Sequence, residues 1–278
     1  MVLVDPREMI ASAYQSGRAL VAGNVSTVEM VRGLVSAAED VERPILIQFN
    51  RAGLRQIGGV EIAAAVVETV AAESDAEIGL HLDHADSLQE LTDAVNAGFG
   101  SVMIDGSTLV LELHVQLTQS ARALVVWSGL PLEAELGHVA GTEEGVTIGE
   151  ASWTDPDEAA AFVSATQVDW LAVAVGNVHG GTPIGGLHVE RLRAIRERLE
   201  VPLVLHGASG LSEAELKLAT ELGVAKINVG TALHEAMAKG MRESLQEQPG
   251  DLRAALRSGE ESVRAIGRGL LLSSWAVG

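Results

Sequence analysis

The sequence contains no cysteine, which excludes disulfide bonds and thiolate chemistry and removes the strongest class of zinc ligand. Any metal site in this chain must therefore be built from histidine and carboxylate side chains. Aromatic residues are also scarce, at 3% of the chain. A hydrophobic core must come instead from valine, leucine, isoleucine and alanine, a composition typical of buried parallel strands covered by alanine-rich helices.

Basic residues are few: 19 lysines and arginines face 38 aspartates and glutamates, for a formal net charge of −19. Such an acidic protein repels nucleic acids and anionic membranes, so neither is expected as a partner. A phosphorylated substrate would have to be bound locally, by backbone N–H groups, helix N-termini or a metal. No apolar run approaches the roughly 20 residues of a membrane span. Because the N-terminus carries charge early, it does not read as a secretory signal, and we expect a cytoplasmic protein.

Short apolar segments alternate with longer stretches of helical periodicity, and this alternation predicts βαβ units around a parallel sheet. Such a barrel needs roughly 250 residues, and the composition shows no break along the chain. We therefore predict an α/β fold, a (β/α)₈ (TIM) barrel of eight parallel strands with surrounding helices, as a single domain over residues 1–278. A doubly wound open sheet is the alternative. The eight segments span residues 19–24, 44–49, 78–83, 101–105, 130–136, 169–176, 201–207 and 225–230.

Polar side chains gather at one end of these predicted strands. Barrel enzymes build their sites at the C-terminal ends of the strands, so this asymmetry predicts an active site there. The residues that close or directly follow the third to the eighth strands are His81, Asp83, His84, Asp105, Glu133, Glu135, Asn177, His179, His206 and Asn228.

His84, His179 and His206 come from three different strand ends, which converge only if the barrel closes. Three imidazoles with an open coordination position are the pattern of a catalytic zinc site. A lone histidine is more often structural than a ligand, and we give that interpretation to His114, His188 and His234. The remaining histidine, His138, fits either interpretation.

Asp83 directly precedes His84. A carboxylate beside a metal-bound substrate could move protons, or it could orient the neighbouring ligand. Adjacent strand residues point to opposite sides, so both side chains reach one site only if His84 lies beyond the regular strand.

Two glycine-rich segments, HGASG after the seventh strand and NVGT after the eighth, lead into predicted helices. Loops at these two positions recurrently bind phosphate in such barrels, although tight turns at helix starts would look the same. A lysine that forms an imine with substrate is disfavoured. Lys217 and Lys239 lie in predicted helices, and Lys226 lies at the start of the eighth strand, at the wrong end.

Six blocks of sequence lie over roughly residues 78–238: LHLDHADSLQELTDAVNAGFGSVMIDGSTL, EAELGHVAGTEEGV, TDPDEAAAFV, DWLAVAVGNVHG, VPLVLHGASG and KINVGTALHEA. In content and order they resemble the class II, metal-dependent ketose-bisphosphate aldolases, the family of fructose- and tagatose-bisphosphate aldolases, with weaker similarity to the N-terminus through AGNVSTVEMV. The resemblance implies the (β/α)₈ barrel and a lyase that reversibly cleaves a ketose phosphate or bisphosphate. The products would be dihydroxyacetone phosphate and an aldehyde, formed through a zinc-stabilised enediolate.

The resemblance also implies ligands for one Zn²⁺ per subunit. These would be His84, His179 and His206, with Glu135 as an accessory carboxylate. Backbone carbonyls near Val178 and Gly180 would hold a monovalent cation, Na⁺ or K⁺. Since members of the family form dimers and larger assemblies, a homodimer or homotetramer is expected.

For catalysis, the resemblance implies that Asp83 shuttles the proton of the aldehyde-derived oxygen and that Asn228 contacts the enediolate. Glu143, with Glu144 next in line, would handle the enolising C–H bond. The phosphorylated sugar would be held by the remaining substrate-binding candidates, which are Gly180, Gly207, Ser209, Thr231, Asn24 and Asn50.

Two departures from the family pattern concern the aldehyde. Fructose-bisphosphate members usually carry an aspartate where this chain has Gly230 and a small hydroxyl residue where it has Asn50. An acceptor such as a deoxy-keto-gluconate phosphate or a specialised-pathway aldehyde is therefore an alternative, as are a non-catalytic phosphosugar-binding paralogue and a metal-dependent hydrolase. An arginine that binds a distal phosphate could come from Arg253, Arg257 or Arg264.

Overall fold

The computed structural model describes residues 3–143, 146–148, 152–179, 186–273 and 275–277. Eight of its strands form a closed parallel barrel, and the other three described strands form a separate small sheet. In chain order the strands are β1 (Leu20–Asn24), β2 (Ile45–Phe49), β3 (Ile78–Ala85), β4 (Ser101–Ile104), β5 (Leu132–Leu136), β6 (Ala140–Glu143), β7 (Val146–Ile148), β8 (Trp170–Val173), β9 (Val178–His179), β10 (Leu203–Leu205) and β11 (Val224–Val229).

The helices lie mostly between successive barrel strands, and none among the described residues is long and apolar enough to cross a membrane. Asp155 caps one of them by accepting from the backbone N–H groups of Asp157 and Glu158, with Pro156 in the first turn, a residue pair typical of a helix start. The helices are α1 (Pro6–Gln15), α2 (Val28–Val41), α3 (Arg51–Ile57), α4 (Val60–Ala71), α5 (Leu88–Ala97), α6 (Leu111–Val125), α7 (Pro156–Thr166), α8 (Val189–Arg196), α9 (Glu213–Glu221), α10 (Thr231–Glu247) and α11 (Leu252–Leu271), with a 3₁₀ turn at Ala208–Gly210.

The strand order confirms the predicted barrel. It runs β1-β2-β3-β4-β5-β8-β10-β11 and closes from β11 back to β1, with every neighbouring pair parallel. A doubly wound open sheet is therefore excluded. The small sheet, in the order β7-β6-β9, was not predicted, because its segments AGTE and VTI are too short to show a strand pattern.

Strand β5 shows how the barrel separates apolar from polar side chains. Leu132, Ala134 and Leu136 belong to the large buried cluster formed with the surrounding helices. Glu133 and Glu135, at the alternate positions, contact residues of other strands inside the barrel. Because side chains alternate along a strand, inward positions in β3 and β11 meet these glutamates in the same way.

Helix α1 closes the end of the barrel where the strands begin. Met9 and Ile10 form one buried cluster with inward residues of the strands, including Leu20 and Trp170. The backbone also anchors this region, since the Val4 N–H donates to the carbonyl of Ile78 at the start of β3. The opposite end, where the strands finish, carries the polar residues.

We expect Ile10→Ala to lower the free energy of unfolding by about 2–5 kcal/mol, because Ile10 is fully buried and its truncation leaves a cavity between α1 and the barrel. Urea denaturation followed by circular dichroism measures the change. Ser12→Ala, at an exposed position of the same helix, is the control and should change it by less than about 0.5 kcal/mol. Equal effects of the two substitutions would show that α1 does not close the barrel.

Candidate active site

Asp83 lies at the centre of a buried group of amide side chains at the C-terminal ends of the strands. Asn24 Nδ2 donates to its Oδ2 over 2.7 Å, and Asn228 Nδ2 donates to its Oδ1 over 3.2 Å. Gln48 Nε2 donates to Asn24 Oδ1 at 2.5 Å and to Asp83 Oδ2 at 3.3 Å. We call Asn24, Gln48, Asp83 and Asn228 the upper cluster. Three amide donors on one carboxylate favour its ionised form.

The electrostatic environment also keeps Asp83 ionised. Burial acts to raise the pKa of this carboxyl group, but the positive charges of His84, Lys226 and His206 outweigh it and hold the pKa well below its usual range. The group is therefore a carboxylate at neutral pH and can accept a proton.

His84 and His206 meet beside the upper cluster. Their ring centroids are 4.7 Å apart, and potential ligand atoms of Asp83, His84 and His206 all lie within 4.8 Å of one another. His84 Nδ1 contacts Asp105 Oδ2 at 2.7 Å, so a metal would be held through its Nε2. Two of the three predicted zinc ligands thus converge with the predicted proton shuttle.

The backbone at His84 explains how adjacent residues reach one site. His84 has a φ of 52°, a left-handed conformation that is uncommon for a residue with a Cβ. The pairing of β3 with β4 also shifts register between Leu82 and Ala85. This break in strand geometry brings the Asp83 and His84 side chains to the same side, although β3 continues to Ala85.

A second group of charged residues, which we call the lower cluster, lies deeper in the barrel, and on β3 and β11 its members stand two residues before those of the upper cluster. It consists of His81, Glu133 and Lys226, all fully buried. Lys226 Nζ is 2.8 Å from Glu133 Oε2, and His81 Nε2 is 3.6 Å from the same oxygen. Lys226 lies near the start of β11, as expected from the sequence, and its buried side chain is paired with Glu133 inside the barrel.

His206 connects the two clusters because a glutamate faces each of its ring nitrogens. Nε2 lies 3.0 Å from Glu133 Oε1, and Nδ1 lies 3.1 Å from Glu135 Oε2. Burial lowers the pKa of His206, but the two glutamates outweigh it and raise the pKa to about 9. Without a metal, the ring is therefore a cation at neutral pH.

His179 lies on β9, whose backbone pairs with β6 through Gly141 and His179. Strand β9 also contacts the 3₁₀ turn that follows His206, and Asn177 Nδ2 donates to the His206 carbonyl over 2.8 Å. The backbone of His179 is thus tied to the segment that carries His206. Its side chain and that of Glu143, the last residue of β6, are outside the described part of the structure, as are Glu144 and Gly180.

The remaining substrate-binding candidates occupy the starts of helical segments. Gly207 has a φ of 57° and precedes the 3₁₀ turn that contains Ser209, whose side chain is not described. Thr231 is the first residue of α10. Asn50 Oδ1 accepts from the Gly53 N–H at 2.9 Å, so this side chain caps α3, and its predicted contact with substrate stays a prediction.

Sequence reasoning missed Gln48 and assigned no role to the lower cluster. Gln48 has an available signal: it is the one polar residue in the apolar segment PILIQF, where a polar side chain needs a partner. The pairing of Glu133 with Lys226 has no local signal, since the two residues are far apart along the chain.

Comparisons with known proteins agree with this geometry. The sequence profile of the family described as fructose-bisphosphate aldolase class II matches residues 4–270. The chain belongs to this family. Sulfofructosephosphate aldolase of Alkalicoccus urumqiensis is 33% identical over 268 residues, covering 95% of this chain and 93% of that protein. A probable fructose-bisphosphate aldolase of Bacillus subtilis is 35% identical over 254 residues, covering 90% of this chain and 88% of that protein.

A solved structure supports the same assignment. The crystal structure of the YdjI aldolase from Escherichia coli matches with a TM-score of 0.86 at 34% identity, covering 98% of each chain. Membership in the class II family supports a metal-dependent aldolase, a carbon–carbon lyase. The described residues of this class II aldolase fit a divalent cation, because imidazole and carboxylate ligand atoms from Asp83, His84 and His206 converge in a buried position.

The lower cluster predicts that acid destabilises the metal-free protein. Burial and the charge of Lys226 lower the pKa of His81 to about 3, against roughly 6.5 in the unfolded chain. His81 is thus neutral when folded, and the unfolded chain binds the proton first. Stability should therefore fall as the pH drops below 6.5, and His81 alone accounts for about 3 kcal/mol at pH 4.

Urea denaturation in the presence of chelator, at pH 7 and pH 4, measures this loss. His81→Asn, which keeps a polar group near the Ser101 hydroxyl that contacts His81 Nδ1 at 2.8 Å, should lose about 3 kcal/mol less than the parent protein over the same range. Identical losses would show that protonation of His81 does not cause the acid sensitivity.

Proposed function

We propose that this class II aldolase uses Zn²⁺ to cleave a ketose phosphate or bisphosphate reversibly into dihydroxyacetone phosphate and an aldehyde. The observation that carries the proposal is the convergence of His84, His206 and Asp83 at the C-terminal end of the barrel. Two imidazoles and an ionised carboxylate within one buried site combine a place for a metal with a group that moves protons.

His84 and His206 would hold the zinc, together with His179 by resemblance to the family, and Glu135 would be an accessory carboxylate. When bound, a divalent cation draws electrons from the substrate carbonyl and stabilises the negative charge that develops as the C–C bond breaks. Asp105, which contacts His84 Nδ1, would keep the His84 ring oriented.

Asp83 would exchange a proton with the oxygen that becomes the aldehyde oxygen. In the cleavage direction it takes the hydroxyl proton as the C–C bond breaks, and in the synthetic direction it returns the proton. Its ionised state and its amide partners Asn24 and Asn228, which fix its position, suit it to the role of a positioned base. Asn228 would also contact the carbanionic half of the substrate. Glu143 would add or remove the proton at the carbanionic carbon of the substrate, a role that rests on the resemblance alone.

The phosphate of dihydroxyacetone phosphate would bind at the two glycine-rich segments. Gly207 and Ser209 lie at the turn before α9, and Thr231 lies at the first turn of α10, where backbone N–H groups and the helix dipole favour an anion. Gly180 would complete the site, and carbonyls near Val178 and Gly180 would bind a monovalent cation. This local binding suits a protein with a net charge of −19.

Gly230 supports an acceptor aldehyde other than the one used by fructose-bisphosphate aldolases. Its φ of −124° does not demand glycine, and an added Cβ would lie 3.4 Å from Asn24 Cβ, an ordinary contact. The glycine therefore leaves room beside Asn24 where fructose-bisphosphate members usually carry an aspartate, a residue that tagatose-type members also lack. A second candidate function is thus an aldolase for a non-standard acceptor. A cytoplasmic location and assembly as a homodimer or homotetramer stay predictions.

The half-reaction that does not involve the aldehyde tests the proposal directly. We expect the purified protein to exchange the C3 proton of dihydroxyacetone phosphate in deuterated water, as followed by proton NMR, and a chelator to stop the exchange. His206→Ala should slow it on the order of 1,000-fold, because the loss of metal stabilisation is worth several kcal/mol.

The exposed His188 supplies the control, since His188→Ala should leave the exchange within about threefold. A protein that binds zinc but catalyses no zinc-dependent exchange would be a non-catalytic phosphosugar-binding paralogue, and the proposal would be wrong.

Asp83→Ala should separate the two halves of the reaction. Because Asp83 is assigned to the aldehyde-side oxygen, cleavage of a ketose bisphosphate should slow by about 100- to 10,000-fold. Proton exchange into dihydroxyacetone phosphate should retain a much larger fraction of its rate. Coupled assays of aldehyde release and NMR exchange on the same sample measure both rates, and an equal loss of both would refute this role for Asp83.

A further inference from the structure

A substrate whose aldehyde end carries a negative charge needs a cation at the C-terminal end of the barrel, and this chain has few there. The eight connections that lead from a barrel strand to the next α-helix contain no lysine or arginine. Arg264, one of the sequence candidates, donates to both carboxylate oxygens of Asp40 near the end of α2. Because α2 leads back to the start of β2, this pair lies at the opposite end of the barrel. A cation for the aldehyde must therefore be carried by a helix that starts beside the site.

Arg51 has such a position, because it is the first residue of α3. The start of this helix is packed closely on the end of β1, since a Cβ added to Gly53 would collide with the carbonyl oxygen of Val25. Val25 directly follows Asn24, whose amide donates to Asp83 over 2.7 Å. The helix start that carries Arg51 thus borders the upper cluster.

The Arg51 side chain reaches from α3 to the end of β3. Its Nη1 donates to Asp86 Oδ2, and Asp86 is the first residue after β3. Asp86 comes three residues after Asp83, and three residues of chain span at most about 10 Å. An aldehyde of three or more carbons, bound with its carbonyl oxygen at Asp83, is therefore long enough to bring its far end to the Arg51 guanidinium.

The contact with Asp86 orients the guanidinium without burying it. The Arg51 side chain is 34% exposed and that of Asp86 is 56% exposed, and ion pairs as exposed as this one are weak and rearrange readily. A guanidinium has five N–H donors in a planar fork, whose geometry matches a carboxylate or a phosphate. Because the protein has a net charge of −19, its overall field repels such a group, and a local cation decides whether the group binds.

We propose that Arg51 is a specificity-determining residue, which binds an anionic group, a carboxylate or a phosphate, at the far end of the acceptor aldehyde. This inference rests on the proposed function, because it assumes that the aldehyde oxygen is bound at Asp83. The competing explanation is that the ion pair of Arg51 with Asp86 only ties α3 to β3.

The first test uses the unaltered protein in the synthetic direction. Consumption of dihydroxyacetone phosphate is followed by phosphorus NMR with three acceptors of three carbons: neutral glyceraldehyde, glyceraldehyde 3-phosphate and tartronate semialdehyde, which carries a carboxylate. We expect kcat/KM for at least one of the two anions to exceed that for glyceraldehyde by about 10-fold or more. The ratio between the two anions then identifies phosphate or carboxylate as the preferred group. A glyceraldehyde value that equals or exceeds both would overturn the inference.

The second test removes the charge. Arg51→Met should lower kcat/KM for the preferred anionic acceptor by about 10- to 100-fold. It should leave the glyceraldehyde value, and proton exchange into dihydroxyacetone phosphate, within about threefold. Arg257→Met, at an exposed position of α11, is the matched control and should keep the preference for the anion. If the preference is lost with Arg257→Met and kept with Arg51→Met, the inference is wrong.

The third test separates binding of the anion from the tie between α3 and β3. Asp86→Asn breaks the ion pair as Arg51→Met does, but it keeps the guanidinium and leaves an amide oxygen to accept its hydrogen bond. It should therefore retain the preference for the anionic acceptor within about threefold. If both variants instead slow all acceptors equally and lower the free energy of unfolding equally, the pair serves only the fold and the inference is wrong.

Proton exchange into dihydroxyacetone phosphate distinguishes failure of this inference from failure of the proposed function. An unaltered protein that catalyses zinc-dependent exchange but shows no preference for an anionic acceptor refutes the role of Arg51 alone. If it catalyses no such exchange, the proposed function fails and the inference fails with it.

Discussion

The cost of placing charge inside a closed barrel governs the arrangement of this molecule. A buried carboxylate is tolerated only when other groups replace its water shell, and here the carboxylates of the site have specific partners. Asp83 has amides, Asp105 has an imidazole and Glu133 has an ammonium group. The polar interior is therefore a connected network, in which the partners that stabilise a buried charge also fix the orientation of the side chain that carries it.

A consequence of this network is that the two ends of the barrel differ in chemistry while sharing the same strands. Apolar side chains and helix α1 fill the end where the strands begin. The lower and upper clusters follow toward the other end, one alternation apart along β3 and β11. Along the single strand β3, apolar residues of the core are followed by His81 of the lower cluster and then by Asp83 of the upper cluster. The site is built on the rigid part of the fold, which favours accurate positioning.

Much of the fold could be predicted because its signals are local. The eight apolar segments each mark a strand, and Asp155-Pro156 marks a helix start. The position of Asp83, His84 and His206 at the C-terminal ends could also be predicted, since strand ends are visible in the sequence and barrel closure brings them together. The assignment of His179 as a ligand stays a prediction, although its backbone lies in the expected region.

The parts that could not be predicted depend on backbone detail or on long-range pairing. Adjacent strand residues normally point to opposite sides, and the left-handed conformation of His84 is what lets Asp83 and His84 reach one site. A glycine in the sequence can indicate such a conformation, but a histidine does not. The Glu133–Lys226 pair joins residues on different strands. The sequence shows that Lys226 lies near the start of its strand, but it does not show which residue the side chain contacts. The small sheet has segments too short to show a periodicity.

The way in which the barrel is closed at its lower end has a consequence for the order of folding. Val277 belongs to the same buried cluster as Met9 and Ile10, and its N–H donates to the carbonyl of Ala19 just before β1. Helix α1 therefore lacks part of its packing until residues near 277, which are synthesised much later, have left the ribosome. Contacts of such long sequence separation form slowly, so helix α1 can dock fully only after synthesis of the barrel is complete.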